Sequence, residues 1–173
     1  MINYYISFIF KIVKKKSKIF CVSDVQDTYK TVALKLISAF HWLIQSKDLQ
    51  KSNLQWVLKL DDDVLLNVYS LETLLSKLDP TKYSIYCNYY SDSTPFRNSA
   101  SKWFVSYEQY PYPLLPPYCQ GALYLMNFQT LKTIYDLLEE EYHRNYIWVE
   151  DILFTGTYSV PNLTSPLFKI ISF

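Results

Sequence analysis

Three adjacent aspartates, Asp61, Asp62 and Asp63, directly follow the apolar run 56–60. Carboxylates this close repel each other, so the triplet must be well solvated or must share a cation, and hard divalent cations prefer oxygen ligands. If the chain stays extended, Asp61 and Asp63 share one face as a D-x-D pair, beyond the carboxyl end of a strand, where ligands of α/β sheets gather. The alternative is an acidic turn or a helix N-cap before residues 64–66. The triplet alone leaves both interpretations open.

Composition excludes several common kinds of site. Gly121 and Gly156 are the only glycines, and they do not supply the glycine pattern of a P-loop, a dinucleotide fingerprint or a G-x-S-x-G elbow. A bound nucleotide diphosphate would therefore need a metal ion in place of backbone amides. The three cysteines contain no C-x-x-C and the two histidines no H-E-x-x-H, which argues against zinc. The odd number of cysteines settles neither their pairing nor the compartment.

The charge is distributed unevenly along the chain. Five lysines and no acid lie in the first twenty residues, whereas the remainder has 12 basic and 16 acidic residues, a balance of −4. A body with this balance predicts no nucleic-acid partner. The apolar start, residues 1–10, is shorter than the ~20 residues of a membrane span, and its positive charge follows the apolar stretch, unlike a secretory signal. It is interpreted as an anchor remnant or an irregular first strand.

Alternating strand and helix signals predict one α/β domain over residues 19–173 with largely parallel strands, after a poorly defined segment 1–18. Predicted strands cover residues 19–22, 55–60, 83–90, 102–105 and 122–126. Predicted helices cover residues 28–46, capped by Asp27, then 71–78 and 128–142, with a last helical turn from Glu150. The prolines between residues 107 and 118 exclude a regular element there.

A second acidic site, Glu150 and Asp151, precedes the apolar residues 152–154. Acids at a helix start interact favourably with the helix dipole, by ~0.3–1 kcal/mol, and local sequence alone favours this capping role. The functional alternative is a general base, because a hydroxyl that attacks an electrophilic carbon needs a carboxylate to take its proton.

Further candidates could contact a ligand. Gly121 lets backbone pass close to a ligand, although it could equally form a tight turn. Arg97 and Lys102 could neutralise phosphate oxygens, and Trp103 could stack on a flat ligand face. Packing within the core or within loops is the simpler role for most of the aromatic residues here, which are Trp103 and the tyrosines of the Pro-rich loop 107–118.

Taken together, these stretches resemble the β-1,3-galactosyltransferase family, which includes β-1,3-N-acetylglucosaminyltransferases and Fringe-like enzymes. The matching stretches follow in order: 24–30 with Leu34, Lys35 and Trp42; 59–64 with Asn67; Arg97; 102–106; 116–121; and 150–152 with Gly156. A lone Asp triplet is a weak signal. The ordered set is specific, and both glycines lie within it.

The resemblance implies a GT-A-like mixed sheet flanked by helices, incomplete at its N-terminal side. It implies transfer of a sugar from a UDP-sugar to a glycan or glycoprotein hydroxyl, with inversion and a β-1,3 linkage, on the lumenal side of the Golgi membrane. By resemblance, Asp63 with Asp61 is expected to bind Mn²⁺, or Mg²⁺ in its place, and Asp151 to be the base. The expected substrate-binding residues are Asp61, Asp62, Arg97, Lys102, Trp103, Gly121 and Glu150.

The chain also departs from the family pattern. It lacks the upstream tail, anchor, stem and Arg-rich strand region, it lacks a cysteine soon after Trp42, and it ends at Phe173. Missing edge strands would leave part of the nucleotide pocket unbuilt, so a truncated member is expected. The alternative is a catalytically inactive relative that binds a glycan or a partner glycosyltransferase. A third, less favoured hypothesis is an acidic metal-binding domain unrelated to sugars.

Overall fold

The computed structural model describes residues 8–10, 18–20, 26, 28–51, 53–141, 147–157 and 169–172. These residues form a mixed α/β structure. Its strands are β1 (Phe8–Phe10), β2 (Lys18–Phe20), β3 (Trp56–Leu60), β4 (Ser84–Tyr90), β5 (Tyr118–Asn127) and β6 (Lys169–Ser172). Its α-helices are α1 (Val32–Gln45), α2 (Lys47–Lys51), α3 (Val68–Leu75) and α4 (Phe128–Glu141). A 3-10 helix, Tyr29–Thr31, precedes α1, and a π-helical segment, Ile152–Thr157, follows α4.

The larger sheet has the strand order β3-β5-β4-β6. Strand β5 is antiparallel to both β3 and β4, and only the β4–β6 pair is parallel. A separate antiparallel pair joins β1 to β2. The prediction of largely parallel strands is therefore wrong for the described sheet. A parallel return needs a crossover, usually a helix, whereas the connection 91–117 contains no helix and lets β5 run back beside β4.

Most predicted elements are confirmed in kind, with shifted ends. Helix α3 begins at Val68, earlier than predicted, because the Asn67 side chain accepts a hydrogen bond from Ser70 N at 3.1 Å and caps the helix. The predicted strand 102–105 is wrong, since the structure has only an isolated bridge between Phe96 and Phe104 there. Strand β5 extends beyond the predicted 122–126 at both ends. The predicted cap Asp27 and the ends of the predicted elements at residues 21–22 and 142 lie outside the described residues.

Two helices supply much of the core. Helix α1 buries residues at helical spacing, as does α4; the buried side chains include Leu36, Phe40 and Leu43 of α1 and Leu131, Ile134 and Leu138 of α4. Burial of each such side chain contributes about 1.5–3 kcal/mol. The Phe40 ring packs edge-on against Phe154, with centroids 5.1 Å apart. This contact fixes the π-helical segment, and with it the acidic residues directly before it, to α1.

A disulfide joins Cys87 of β4 to Cys119 of β5, with Cα atoms 5.6 Å apart. It crosses the antiparallel pair beside the register shift between Cys87 and Tyr89. The third cysteine, Cys21, lies outside the described residues. The disulfide therefore ties together two central strands of the sheet, two residues before Gly121.

The described helices include none with both the length and the apolar character that a membrane crossing requires.

Candidate active site

A buried ammonium, that of Lys59, lies where β3, β5 and the segment 150–157 meet. Lys59 is only 3% exposed, and its Nζ donates to Asp61 Oδ1 at 2.6 Å. The same Nζ lies 2.8 Å from Glu150 Oε1 and donates to the backbone carbonyl of Gly121. An ammonium has three donors, so these partners satisfy it completely. The charge of Lys59 thereby brings the start of the Asp triplet and the second acidic site together.

Local sequence explains why Lys59 points inwards. Side chains alternate along a strand, and in β3 Val57 and Lys59 are the two buried residues. A buried charge is tolerated only when it is paired, and Asp61, two residues further on, lies on the same side. Burial lowers the pKa of Lys59, but Glu150 and then Asp61 outweigh burial, so the net pKa is raised and the ammonium persists at neutral pH.

Glu150 receives a second contact from the core. Its Oε2 accepts a hydrogen bond from the Tyr124 hydroxyl at 3.4 Å, and Tyr124 is completely buried. Burial raises the pKa of Glu150 to about 7, although the charge of Lys59 opposes this shift. Burial and the charge of Glu150 also raise the pKa of Tyr124 well above its ordinary value, so the phenol keeps its proton and acts as the donor.

Asp151 is held by backbone amides. Its Oδ2 accepts from Gly121 N at 3.1 Å, and its Oδ1 accepts from Ile152 N at 2.8 Å. The Thr155 hydroxyl donates to the Asp151 carbonyl at 2.6 Å and accepts from Cys119 N at 2.8 Å. Burial raises the pKa of the Asp151 carboxyl even though the amides of Ile152 and Gly121 favour its ionised form. A fixed, largely desolvated carboxylate with a raised pKa has the properties of a general base.

Position 121 leaves no room for a side chain. A Cβ at this position would lie 2.8 Å from Glu150 Oε1 and 3.3 Å from Asp151 Cβ. Gly121 lies within β5, so the tight turn is not its structural role. The groups that lie close to its backbone are the side chains of Glu150 and Asp151. Contact of Gly121 and Glu150 with a substrate stays a prediction.

The Asp triplet forms a turn. Strand β3 ends at Leu60, Asp61 N donates to Ala122 O at 2.9 Å, and Val64 N donates back to Asp61 O at 3.2 Å. The chain is not extended beyond Asp61, so the alternation of side chains along β3 does not reach Asp63. The acidic turn, the alternative to an extended D-x-D pair, is the structure that these residues adopt. Crowded carboxylates favour such an arrangement, because a turn at the sheet edge exposes Asp62 and Asp63 to solvent. Neither side chain forms an ion pair or a hydrogen bond with the described residues.

The donor set limits the kind of metal site that could exist. Within the described ranges, no three His, Cys, Asp or Glu side chains are arranged so that they could hold a metal ion by themselves. Hard cations such as Mg²⁺ are commonly held by one or two carboxylates together with phosphate oxygens of a substrate. The solvent-facing Asp63, beside Asp61, fits a cation of this shared kind.

Arg97 lies elsewhere, and its guanidinium is bound to carbonyls of a loop. Its guanidinium donates to the carbonyls of Val105, Ser106, Tyr110 and Tyr112 at 2.7–3.0 Å. The Tyr107 ring stacks on the guanidinium at 4.1 Å. Arg97 thus organises the Tyr- and Pro-rich loop that precedes β5. Its predicted contact with a phosphate stays a prediction.

Lys102 and Trp103 form a cation–aromatic group with Tyr29. The Lys102 ammonium lies 4.8 Å from the Tyr29 ring centre and 4.7 Å from that of Trp103. Trp103 is half-buried against the core, whereas Tyr29 is 56% exposed. Among the described residues, this group makes no hydrogen bond or ion pair with Lys59, and it is a separate surface feature. A ligand role for Lys102 and Trp103 also stays a prediction.

Sequence reasoning missed Lys59 and Tyr124. Lys59 had a usable signal, because it is the only charge in an apolar strand and precedes Asp61 by the two-residue period of that strand. Tyr124 had none, since one aromatic residue in an apolar strand is indistinguishable from core packing.

A comparison with known proteins identifies the family of this chain. A sequence model described as galactosyltransferase matches residues 9–160, a range that contains every site residue above. The chain belongs to the galactosyltransferase family. The family match covers Lys59, Asp61, Gly121, Glu150 and Asp151 together, which are the residues that the fold brings into contact.

Individual members of the galactosyltransferase family show similar sequences. The pig UDP-GalNAc:beta-1,3-N-acetylgalactosaminyltransferase 1 is 30% identical over 129 residues, 75% of this chain and 37% of that protein. The Arabidopsis thaliana beta-1,3-galactosyltransferase GALT1 is 31% identical over 120 residues, 65% of this chain and 19% of that protein. The Xenopus laevis lactosylceramide 1,3-N-acetyl-beta-D-glucosaminyltransferase B is 28% identical, over 70% of this chain and 32% of that protein. The chain spans about a third or less of the length of these curated relatives.

Proposed function

We propose that this protein is a hexosyltransferase that transfers a sugar from a UDP-sugar to a glycan or glycoprotein hydroxyl, with inversion and a β-1,3 linkage. The observation that carries the proposal is the double pairing of Lys59, which brings Asp61 and Glu150 to one point beside Asp151. Membership of the galactosyltransferase family supports the reaction class. The names of the relatives, which include beta-1,3 transferases, support the linkage, and one of those names includes UDP-GalNAc.

The proposed architecture is a GT-A fold, of which the described mixed sheet would be part. The site lies at the carboxyl end of β3, beside the part of β5 that contains Gly121. Asp61 directly follows β3, Gly121 lies in the neighbouring antiparallel strand β5, and Asp61 N donates to Ala122 O at 2.9 Å. The sheet therefore fixes Asp61 relative to Gly121, whose amide bonds Asp151.

The exposed carboxylate of Asp63, with Asp61 beside it, would hold the metal ion. Mn²⁺, or Mg²⁺ in its place, would neutralise negative charge that develops on the departing UDP. Asp62, in the same turn, is free among the described residues to contact the nucleotide-sugar. Lys59 orients Asp61, because its ammonium is 2.6 Å from Asp61 Oδ1.

Asp151 would act as the general base. The acceptor hydroxyl oxygen bonds to the anomeric carbon, the bond from that carbon to UDP breaks, and the hydroxyl proton passes to Asp151. Attack from the face opposite to UDP inverts the configuration. The amides of Gly121 and Ile152 orient the Asp151 carboxylate before the acceptor arrives, which lowers the cost of reaching the reactive geometry.

A location on the lumenal side of the Golgi membrane is part of the proposal. The Cys87–Cys119 disulfide supports an oxidising compartment, because disulfides persist in the secretory pathway and are rare in the cytosol.

Transfer activity of the full chain tests the proposal. The assay supplies radiolabelled UDP-galactose, UDP-GalNAc or UDP-GlcNAc with Mn²⁺ and a panel of glycan acceptors. Asp151→Asn should abolish transfer, while Asp136→Asn, an exposed aspartate on α4, should leave it unchanged. Equal transfer by the parent and the Asp151→Asn variant would contradict the role of the base. Nucleotide binding without any transfer by the parent would favour the inactive, glycan-binding relative.

A further inference from the structure

We propose that Lys59 is a positioning residue that sets the relative placement of the metal-binding turn and the catalytic base. This inference rests on the proposed function, because it assigns Lys59 a role within that site. Lys59 would touch neither substrate nor metal. It would act through Asp61 on one side and through Glu150 and Gly121 on the other.

The contacts of Lys59 reach three separate parts of the chain. Its Nζ bonds Asp61 Oδ1 at 2.6 Å, lies 2.8 Å from Glu150 Oε1 and donates to the Gly121 carbonyl. These three partners belong to the turn after β3, the start of the segment 150–157 and the middle of β5. One ammonium therefore holds the three structural elements that supply the site.

The link from Lys59 to the base is short. Gly121 receives Lys59 at its carbonyl and donates its own N–H to Asp151 Oδ2 at 3.1 Å. Glu150 is the direct neighbour of Asp151 in the chain. Movement of Lys59 would thus reach Asp151 by two routes, through the Gly121 peptide and through the backbone of Glu150.

The link to the metal turn is equally direct. The Asp61 side chain is 46% exposed, so solvent alone would leave its rotamer free. The ammonium of Lys59 is itself immobilised by burial, and it fixes one oxygen of Asp61. That restraint would leave the other oxygen in a defined direction for a cation and would keep Asp61 from turning towards bulk water.

A purely structural role is the competing explanation. Removal of one partner from a buried ion pair is strongly destabilising, because the other charge is left uncompensated. Lys59→Met would therefore destabilise the protein under either explanation. A test must separate loss of stability from loss of position.

Three variants make that separation. Lys59→Met removes the ammonium, and the double variant Lys59→Met with Glu150→Gln also removes the orphaned carboxylate, which should restore much of the lost stability. Thr130→Val is the stability control, because the fully buried Thr130 hydroxyl accepts from Ser84 N and donates to Asn127 Oδ1 outside the site. Unfolding in urea ranks the three variants by stability.

The first readout needs no ligand. Hydrogen exchange at the Gly121 amide reports its bond to Asp151, and the Leu125 amide, within the same strand β5, serves as the reference for global opening. We expect exchange at Gly121 to accelerate at least tenfold relative to Leu125 in Lys59→Met and in the double variant, but not in Thr130→Val. Unchanged relative exchange at Gly121 in Lys59→Met would overturn the proposal.

The second readout is the Mn²⁺ concentration that half-saturates UDP binding, measured without an acceptor. We expect this concentration to rise at least tenfold in Lys59→Met and to stay raised in the double variant. If the double variant recovers both stability and Mn²⁺ response, Lys59 is merely structural and the proposal fails. If the parent itself shows no Mn²⁺-dependent UDP binding, the proposed function fails instead, and the exchange at Gly121 alone decides the role of Lys59.

Discussion

The backbone N–H of Gly121 donates a hydrogen bond to Oδ2 of Asp151 across 3.1 Å, which joins the middle of β5 to the proposed base. The absence of a side chain at Gly121 is what allows this approach, since a Cβ there would meet Glu150 Oε1 at 2.8 Å. Glu150 cannot swing away freely, because Lys59 holds the same oxygen at 2.8 Å. The geometry of Asp151 thus depends on Gly121, which performs no chemistry itself.

Gly121→Ala should displace the acidic pair and impair transfer. We expect transfer to fall roughly a hundredfold, the scale that a displacement of about 1 Å produces, while Mn²⁺-dependent UDP binding changes much less. The measurement is kcat for transfer alongside UDP affinity. Gln120→Ala is the matched control, because Gln120 is the exposed neighbour on the same strand and should keep near-parental transfer. Parental transfer by Gly121→Ala would show that the pair tolerates displacement.

Arg97→Met should release the loop that follows it rather than weaken nucleotide binding. Hydrogen bonds to a charged group contribute about 1.5–3 kcal/mol each, and Arg97 donates to carbonyls of residues 105–112. Chymotryptic cleavage within residues 107–112 should accelerate roughly tenfold or more as local opening becomes easier. Lys102→Met is the control, because Lys102 donates to no carbonyl of this loop. Weaker UDP binding with unchanged cleavage would instead favour the phosphate-binding role.

Stability should depend on pH through Glu150, with an unusual sign. Its pKa is about 7 in the folded protein against 4.5 ordinarily, so the folded state holds the proton more tightly between these values. The stability contributed by protonated Glu150 is complete below pH 4.5 and is lost as pH rises to about 7. The loss is on the order of 3 kcal/mol, from 1.36 kcal/mol per pKa unit.

Urea unfolding of the parent and of Glu150→Gln across this pH range isolates the contribution of Glu150. The parent should lose stability relative to Glu150→Gln as pH rises, because the variant cannot titrate at this position. Asp151, whose pKa burial also raises, is present in both proteins, so the difference reports the titration of Glu150 together with its charge coupling to Asp151. If the parent instead gains stability relative to Glu150→Gln as pH rises, Lys59 holds Glu150 ionised across the whole pH range.

Sequence patterns predicted the elements well where the pattern was local. The helical spacing of Leu36, Phe40 and Leu43 located α1, and the apolar run 56–60 located β3. Strand direction was predicted wrongly because it depends on how the connection 91–117 returns to the sheet, and no local pattern records that path. The predicted strand 102–105 failed for a similar reason, since the Phe104 carbonyl accepts from the Trp148 indole and the Val105 carbonyl from Arg97 rather than from a neighbouring strand.

The candidate site was predictable in part. Both acidic groups stood out as charges next to apolar runs, but their proximity arises only from the pairing of β3 with β5 and from the contact between Lys59 and Glu150. The space requirement at Gly121 was also invisible, because it is set by residues 29 and 30 positions later in the chain. The family resemblance supplied the connection that local patterns lacked.

UDP binding, measured by calorimetry with and without Mn²⁺, tests most directly whether one metal-dependent donor site joins the Asp turn to the base. We predict that the parent binds UDP only with Mn²⁺, that Asp63→Asn loses this binding, and that Asp151→Asn retains it while unable to transfer. Asp92→Asn, an exposed aspartate in the connection after β4, serves as the control and should bind like the parent. Metal-independent binding by the parent, or undiminished binding by Asp63→Asn, would contradict a metal site at the Asp turn.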